Sequence, residues 1–485
     1  GVAGISAACY LSKAGFKVTI LEKNSSPGGR LSQFNQNGFI FDKGPSWYWM
    51  PEIFDNFFKD FNRNTNDFYT LKRLDPSYQF ITKNGLFNIP ANFEDLCELF
   101  ESIEKNSSKS LVEYIRIAEL KYKLSIDNFL NLTGESYFEL FNPAIIKNLH
   151  KLNIFISLRR HIKKYFKNPD LIKLLEFPSM FLGGTPSTTP GVYSMMNFAD
   201  IKEGTWYPMG GMYQIINAMK KIAIELGVNF EFDRNVTRFL VKNNEITHVK
   251  YNENKFFEAN HYISNCEYPF IQLNVLNPKY QSYSEEYWDS RKIAPSAVIF
   301  HLGVSKKIEF LKHHNLFFDE DFDNHLDEIY NKKKFPSKPL FYVCCPSKTD
   351  DSIIPSDTME NIFILIPVST DTNPTKETID FYFNYVMNKL EKYEGSKIVS
   401  NIIEKVCYTK NDFISEYNSY RGNAYGLANT LTQTATFKPK ISDKKIKNLS
   451  YCGHFTVPGP GVPPSIISGK IVSNILEKRY EKKLR

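Results

Sequence analysis

The sequence has few cysteines, and their spacing excludes two common kinds of scaffold. Seven cysteines are spread over 485 residues, and none of them form a C-x-x-C pair, so neither a zinc site nor a disulfide framework is indicated. Cys344 and Cys345 are adjacent and are interpreted as buried thiols. We therefore predict no metal and a reducing, cytoplasmic setting, and no signal peptide is visible.

Long apolar runs and concentrated charge are also absent. No stretch approaches the roughly 18 to 20 apolar residues that span a bilayer, which excludes a membrane-spanning helix. The net charge of +7 is not concentrated, which argues against a nucleic-acid partner. The 42% hydrophobic content is typical of a globular protein, and this length predicts more than one compact unit and an interior large enough for a cofactor.

A glycine turn at the start of the chain predicts a dinucleotide-binding βαβ unit. Gly1 and Gly4 precede a helical pattern, and residues 18–21 read as a buried strand that ends at Glu22. A helix that begins at glycines presents backbone N–H groups to a pyrophosphate, and an acid about 20 residues later can accept the ribose hydroxyl hydrogens. A complete fingerprint would begin with a strand and one more glycine, so we expect the native protein to start upstream. The alternative is a plain helix start and a solvated Glu22.

The segments that follow resemble those of a flavoprotein family. Pro27-Gly28-Gly29-Arg30 comes directly after Glu22, and an aromatic strand over residues 38–42 leads to a turn at Gly44-Pro45-Ser46. This order resembles the FAD-binding amine-oxidase and carotenoid-desaturase group. The resemblance implies that FAD is the cofactor, that Gly28, Gly29 and Arg30 meet its diphosphate, and that Pro45 and Ser46 belong to the same site.

The end of the chain agrees with this resemblance. Residues 448–453 are predicted to form a last buried strand, followed by a Gly/Pro-rich turn and a helix over residues 465–480. Proline suits a first helical turn, and the free N–H groups beyond it can face an electron-rich carbonyl. In the family that carbonyl belongs to the flavin ring, which implies cofactor contacts for Gly453, Gly461 and Val462. By the same resemblance, Val236 holds the adenine end.

Further segments narrow the resemblance to carotenoid desaturases of the bacterial phytoene desaturase type. They are residues 41–51, 197–200, 204–212, 420–426 and 461–463. The resemblance implies FAD-dependent desaturation of phytoene or a related carotenoid precursor, in which a hydride passes to the flavin and a neighbouring proton leaves. The implied partners are a long apolar polyene and a quinone or oxygen as electron acceptor. The alternatives are another FAD enzyme of polyenes (an isomerase, oxygenase or saturase) and a lipid carrier on the same fold.

The predicted fold class is α/β. A Rossmann-like FAD-binding domain would comprise residues 1–74, 191–269 and 420–485, with its first strand upstream. Residues 75–190 are expected to form a mainly helical region that faces substrate and membrane. Residues 270–419 are expected to form a substrate-domain sheet. The FAD-binding domain would thus carry an inserted mixed α+β domain and a helical lid. A helix is predicted over residues 213–226, and strands over 228–232, 246–251, 298–304, 341–345 and 362–368.

Residues 138–167 have two interpretations. Apolar residues beside basic ones are typical of a peripheral segment that binds anionic head groups, here on the cytoplasmic, inner face of a membrane. The alternative is a lid that packs on its own domain with a solvated cationic side. The apolar residues are Phe141, Leu149, Ile154, Phe155, Ile156 and Leu158, and the basic ones are Lys147, Lys151, Arg159, Arg160, Lys163, Lys164 and Lys167.

No catalytic base is identified from the sequence. Arg159, Arg160 and His161 lie where family members carry charged residues near the substrate, and solvated surface charge is the alternative. The cluster Trp47-Tyr48-Trp49 reads equally as core aromatics or as substrate contacts.

Overall fold

The computed structural model describes residues 1–126, 132–136, 138–139 and 152–484. Among the helices that it describes, none is both long and apolar enough to cross a membrane. The α-helices are α1 (Val2–Lys13), α2 (Pro51–Asp60), α3 (Phe93–Ile103), α4 (Ser107–Leu124), α5 (Leu158–Ile162), α6 (Pro169–Glu176), α7 (Met195–Phe198), α8 (Gln214–Glu225), α9 (Tyr268–Phe270), α10 (Glu285–Asp289), α11 (Phe322–Tyr330), α12 (Lys376–Glu394), α13 (Lys410–Tyr417) and α14 (Val462–Leu484).

The strands form one large sheet and several ribbons of two or three strands. They are β1 (Thr19–Leu21), β2 (Gln33–Gln36), β3 (Phe39–Asp42), β4 (Leu71–Arg73), β5 (Tyr78–Thr82), β6 (Gly85–Ile89), β7 (Trp206–Pro208), β8 (Asn229–Glu231), β9 (Val236–Lys242), β10 (Glu245–Tyr251), β11 (Lys255–Phe257), β12 (Tyr262–Ser264), β13 (Ser296–Val304), β14 (His314–Phe317), β15 (Phe341–Cys344), β16 (Glu360–Val368), β17 (Ile402–Tyr408) and β18 (Leu449–Tyr451).

Two parallel ribbons and the helices that cover them make up a Rossmann-like half. β1 pairs with β8, and β12 pairs with β18. Buried side chains of α1 and α8, among them Ile5, Ile215 and Met219, share one hydrophobic core. Parallel strands need such cover, because both faces of a parallel sheet are apolar.

The other half is built on a mixed seven-stranded sheet. Its strand order is β17-β13-β16-β15-β14-β5-β6, and only β14 and β5 run parallel among the neighbouring pairs. α12 covers one face, where Tyr382 and Leu390 share a core with Phe300 and Ile364. On the opposite side, Tyr342 and Phe363 belong to a core that includes residues of α3 to α6.

The structure confirms the predicted α/β class with an inserted mixed sheet. The helix predicted over residues 213–226 is α8, and the strands predicted near residues 298, 341 and 362 are β13, β15 and β16. The structure differs in residues 75–190, where β5 and β6 extend the large sheet. Every residue of β5 is buried, so its sequence lacks the alternation that marks a half-buried strand. The three-part domain division stays a prediction.

Candidate functional site

One cavity of about 1520 Å³ runs through both halves of the molecule. It exceeds the roughly 300–1,000 Å³ of pockets that hold one drug-sized ligand, and it also extends along β1 and β12 at Ile20 and Ile263. All of the predicted cofactor-binding residues line it: Gly1, Gly4, Glu22, Gly28, Gly29, Arg30, Pro45, Ser46, Val236, Gly453, Gly461 and Val462. The cavity has room for a dinucleotide and a second molecule.

The N-terminus of α1 enters this cavity beside Asn265. Gly4 N donates to Asn265 Oδ1 at 2.9 Å, and a Cβ on Gly4 would lie 2.9 Å from the same oxygen. Gly4 therefore allows close approach, while its N–H is already bonded within the fold. Asn265 Nδ2 also donates to Cys452 O at 3.3 Å. Asn265 was not predicted as a cofactor contact, although it directly follows a parallel strand, where α/β sheets place ligand contacts.

Arg30 reaches the cavity from a turn of two glycines. Gly28 and Gly29 have φ of +127° and +60°, a region that favours glycine. Arg30 Nη2 lies 2.6 Å from Glu267 Oε1 and donates to Asn423 O at 3.1 Å. Arg30 Nε is buried and has no hydrogen-bond partner among the described residues. That donor fits an anionic ligand group such as a diphosphate.

Glu267 is a fully buried carboxylate that holds Arg30 in place. Its Oε2 accepts from Tyr420 N at 3.1 Å and from Asn423 Nδ2 at 3.2 Å, and its Oε1 lies 2.9 Å from His454 Nε2. Burial acts to raise the pKa of Glu267, but Arg30 and His454 outweigh it and hold that pKa below its ordinary value. Burial lowers the pKa of His454 although Glu267 opposes this. Glu267 belongs to none of the sequence motifs and was not predicted either.

The predicted ribose contact directly follows β1, and the predicted adenine contact lies at the start of β9. Glu22 N donates to Glu231 O at 2.9 Å, which aligns the end of β1 with β8. Glu22 Oε1 accepts from Asn24 N at 3.0 Å. Val236 begins β9, and both Glu22 and Val236 face the cavity. The carboxylate of Glu22 and the backbone at the start of β9 are suited to bind an adenosine group in this part of the cavity.

The predicted flavin contacts surround the N-terminus of α14. Val462 is the first residue of that helix, and Gly461 precedes it at the cavity wall. Gly453 N donates to Ser468 Oγ at 3.0 Å, which ties the end of β18 to α14. Ser46 Oγ lies 2.9 Å from Tyr342 OH of the large sheet. These contacts bring the two halves together where the flavin ring is expected.

The rest of the cavity has a wall of aromatic and aliphatic side chains. Trp49 Nε1 donates to Thr205 Oγ1 at 2.9 Å, and Thr205 Oγ1 donates to Asp200 Oδ1 at 3.2 Å. Trp47 also lines the cavity, whereas Tyr48 stacks on Phe54 in the core. The apolar lining residues include Trp47, Trp49, Phe177, Phe181, Leu316, Phe318 and Phe363.

The three charged residues of the helical region have different surroundings. Arg159 pairs with Glu176 and with Asp323, each at 2.6 Å, and Arg160 is exposed. His161 is buried with Nε2 3.0 Å from Lys121 Nζ, and burial, reinforced by Lys121, lowers its pKa to about 3. Over the described residues, none of the three lines the cavity. The predictions for Phe141, Leu149, Lys147 and Lys151 lie outside the described residues.

One half of the molecule has the features of a nucleotide-binding domain, and it shares a single cavity with the apolar large sheet. This arrangement defines the class of oxidoreductases that enclose the cofactor together with the substrate. The chain belongs to the family of flavin-containing amine oxidoreductases, whose model matches residues 2–476. FAD is its cofactor, and the cavity described above contains groups that fit it, notably the buried Arg30 Nε and the glycines at the α1 N-terminus.

Similar proteins extend over nearly the whole chain. It is 33% identical over 478 residues to a carotenoid 3,4-desaturase of Haloarcula japonica, with 98% of this chain and 96% of that protein covered. It is 27% identical over 483 residues to a zeta-carotene-forming phytoene desaturase of Myxococcus xanthus, with 98% and 92% covered. A solved oxidoreductase from Methanosarcina mazei has 16% identity and a TM-score of 0.61 over 98% of both chains. That likeness confirms the fold.

Proposed function

We propose that this enzyme desaturates phytoene or a related carotenoid precursor. Support comes from the near full-length similarity to two carotenoid desaturases. The observation that carries the proposal is the continuity of the cavity, whose apolar wall of tryptophans and phenylalanines leads to the cofactor end. A long polyene that is insoluble in water needs such a channel to bring one of its bonds to the flavin.

The residues of the chain bind and orient the reactants. FAD held by these residues would supply the acceptor for a hydride from a saturated carbon, and loss of a proton from the neighbouring carbon would complete the C=C bond. Arg30, held by Glu267, binds the diphosphate and fixes the cofactor. Trp49, held by the Thr205–Asp200 hydrogen bonds, forms a rigid wall beside Trp47. These walls keep a straight substrate in one position and exclude water.

Incubation of the purified protein with phytoene in liposomes and FAD tests the proposal. We expect extracted pigments with longer-wavelength absorption, and a mass that falls by one pair of hydrogens at each step. Anaerobic reactions with and without a quinone separate quinone from oxygen as acceptor. Bound flavin with an unchanged or isomerised polyene, or a product that gains oxygen, would assign another FAD reaction, and failure to retain flavin would favour a carrier.

We also propose that the cavity opens towards a membrane surface on the cytoplasmic side. Ile154, Tyr193 and Leu431 line the cavity. Gly191 N donates to Ile156 O at 2.7 Å, and Tyr193 OH lies 2.9 Å from Thr434 Oγ1, so the segments near residues 154 and 431 are joined through the segment that contains Tyr193. Exposed apolar side chains occur on both segments, Phe155 at 79% and Leu431 at 39%. Four exposed basic residues follow Phe155 in the sequence: Arg160, Lys163, Lys164 and Lys167.

Sedimentation with anionic lipid vesicles tests this surface. The double variant Phe155→Ser/Leu431→Ser should bind vesicles at least about thirtyfold more weakly, since the two side chains together would lose burial worth roughly 2 to 6 kcal/mol. Replacing Arg160, Lys163, Lys164 and Lys167 by Gln should also weaken binding, and Arg159 stays because it pairs with Glu176. Phe381→Ser, at a 49% exposed position on α12, is the matched control. Equal vesicle binding by all variants would contradict the membrane surface and would favour the alternative, a lid that packs on its own domain with a solvated cationic side.

A further inference from the structure

Two buried polar side chains converge on the turn before α14, and each has an atom without a partner. Lys438 is 2% exposed and Asn429 is 3% exposed. Neither Lys438 Nζ nor Asn429 Oδ1 has a hydrogen-bond partner within the part of the chain that the structure describes. A Cβ built on Gly459 would lie 3.3 Å from Lys438 Cε, and 3.5 Å from both Lys438 Nζ and Asn429 Oδ1. Both polar atoms therefore approach Gly459.

Gly459 belongs to the wall of the cofactor cavity. Asn429, Gly459 and Gly461 all line it, and Gly461 directly precedes the N-terminus of α14. Because Gly459 has no side chain, Lys438 approaches the cavity wall at the glycine backbone. Lys438 is not itself a lining residue, so its ammonium group stands behind this glycine backbone, near the end of the cavity where the flavin ring is expected.

An ammonium group in this position needs a partner. Unpaired buried charges are strongly unfavourable, and buried polar groups in folded proteins nearly always have partners. Burial lowers the pKa of Lys438 to about 7. Lys121, another buried lysine, is bonded to Gly191 O at 3.0 Å and Ser194 Oγ at 2.9 Å. Lys438 lacks such bonds within the described part of the chain, which leaves its charge to be balanced by an occupant of the cavity across the backbone of Gly459.

We propose that Lys438 is the electrostatic partner of the bound flavin ring, with Asn429 as a second polar group at the same edge. The inference rests on the proposed function. Hydride transfer breaks a substrate C–H bond and adds one proton and two electrons to the flavin, while the neighbouring substrate hydrogen leaves as a proton. The ring thereby gains one negative charge. A cation beside it stabilises reduced FAD more than oxidised FAD and raises the midpoint potential.

Reduction potentials and thermal unfolding of purified variants test this assignment. In Lys438→Met, reduced FAD should lose at least tenfold in affinity relative to oxidised FAD, which lowers the two-electron midpoint potential by about 30 mV or more. Lys438→Arg keeps the charge and should retain the wild-type potential. FAD should raise the melting temperature of Lys438→Met less than that of the wild type. Lys440→Met is the control, because Lys440 Nζ already donates to Thr436 O within the fold.

The outcomes separate this inference from the proposed function. A wild-type potential and a wild-type FAD response in Lys438→Met would overturn the role of Lys438 while leaving the desaturase intact. A lowered potential together with no activity on phytoene would support Lys438 and contradict the desaturase. A wild type that does not retain FAD would overturn both. Equal loss of potential in Lys440→Met would show a general change in the fold and would also count against Lys438.

Discussion

Arg30 and Glu267 show how a single ion pair shapes the cofactor end of the cavity. The glycine turn before Arg30 indicates where the arginine lies, but the direction of its guanidinium depends on a carboxylate 237 positions away. Glu267 is fully buried, and Arg30 is 22% exposed. The carboxylate receives enough hydrogen bonds to remain ionised, so it keeps the guanidinium against the cavity wall.

Replacing Arg30 by Ala should therefore have two effects. The free energy of unfolding should fall by about 3 kcal/mol, since Glu267 would lose its main counter-charge in a buried position, and FAD should be retained less well. Urea denaturation and flavin content measure these effects. Arg30→Ala/Glu267→Gln should recover stability without recovering FAD binding. Unchanged flavin content in the single variant would contradict contact with the diphosphate.

Asp200 should make stability depend on pH. Burial raises its pKa to about 7, although the hydroxyls of Tyr78 and Thr205 oppose this. A carboxyl group whose pKa is higher in the folded than in the unfolded chain favours folding at low pH, and this contribution is lost as pH rises through the folded pKa.

Asp200→Asn should consequently show a smaller loss of melting temperature than the wild type as the pH rises from about 4 to about 7. Melting curves across this range measure the difference, with Asp357→Asn at an exposed position as the control. If the wild type and Asp200→Asn follow parallel curves, Asp200 does not titrate in this range.

At the scale of elements, the contact between α1 and α14 positions two helix N-termini at the cavity. Gly469 is the closest point: a Cβ there would lie 2.6 Å from Ala3 O and 2.7 Å from Ala7 N. Both atoms belong to the backbone of α1, so they cannot move as a side chain could. Close packing at Gly469 thus sets the separation of the helices whose first residues face the diphosphate and the flavin ring.

Gly469→Ala should destabilise the protein by about 1 to 3 kcal/mol, as expected for an added methyl group in a packed core, and should weaken FAD binding by separating the helices. Chemical denaturation and FAD titration measure both. Asn474→Ala, at an exposed position of the same helix, should leave both values unchanged. A Gly469→Ala variant with wild-type stability would mean that the helices can separate freely.

At the scale of the whole molecule, the cavity joins two halves that have separate hydrophobic cores. The Rossmann-like half contributes Gly1, Glu22 and Gly453, and the sheet half contributes Tyr342 and Phe363. A cofactor in this cavity contacts residues that are far apart in the chain. Its binding energy therefore adds to the stability of the folded molecule as a whole.

Removing FAD should lower the stability of the entire protein in one transition. FAD at one hundred times its dissociation constant should add about 2.7 kcal/mol to the free energy of unfolding. Thermal unfolding of FAD-free protein, with FAD added in steps, measures this gain, and adenosine added alone serves as the control. A melting temperature independent of FAD would contradict binding in this cavity.

The sequence by itself determined the local parts of this protein. Turns such as Gly28-Gly29 and the strand end at Glu22 are readable because glycine conformation, strand periodicity and motif spacing act over a few residues. These signals predicted the α/β class and most of the main strands, and the resemblance of the motifs to a flavoprotein family implied FAD and a set of cofactor residues that all line one cavity.

Only the tertiary structure decided how these parts are completed. Asn265 meets Gly4 across 261 positions, Glu267 meets Arg30 across the fold, and only the surroundings of Lys438 show that its Nζ has no hydrogen-bond partner among the described residues. The strand β5 was not predicted, because it is buried on both faces and its sequence therefore lacks the alternation of a half-buried strand. Contacts between distant segments follow from packing and burial, which short-range sequence patterns do not encode. The electrostatics and the shape of the site are therefore determined only when the chain is folded.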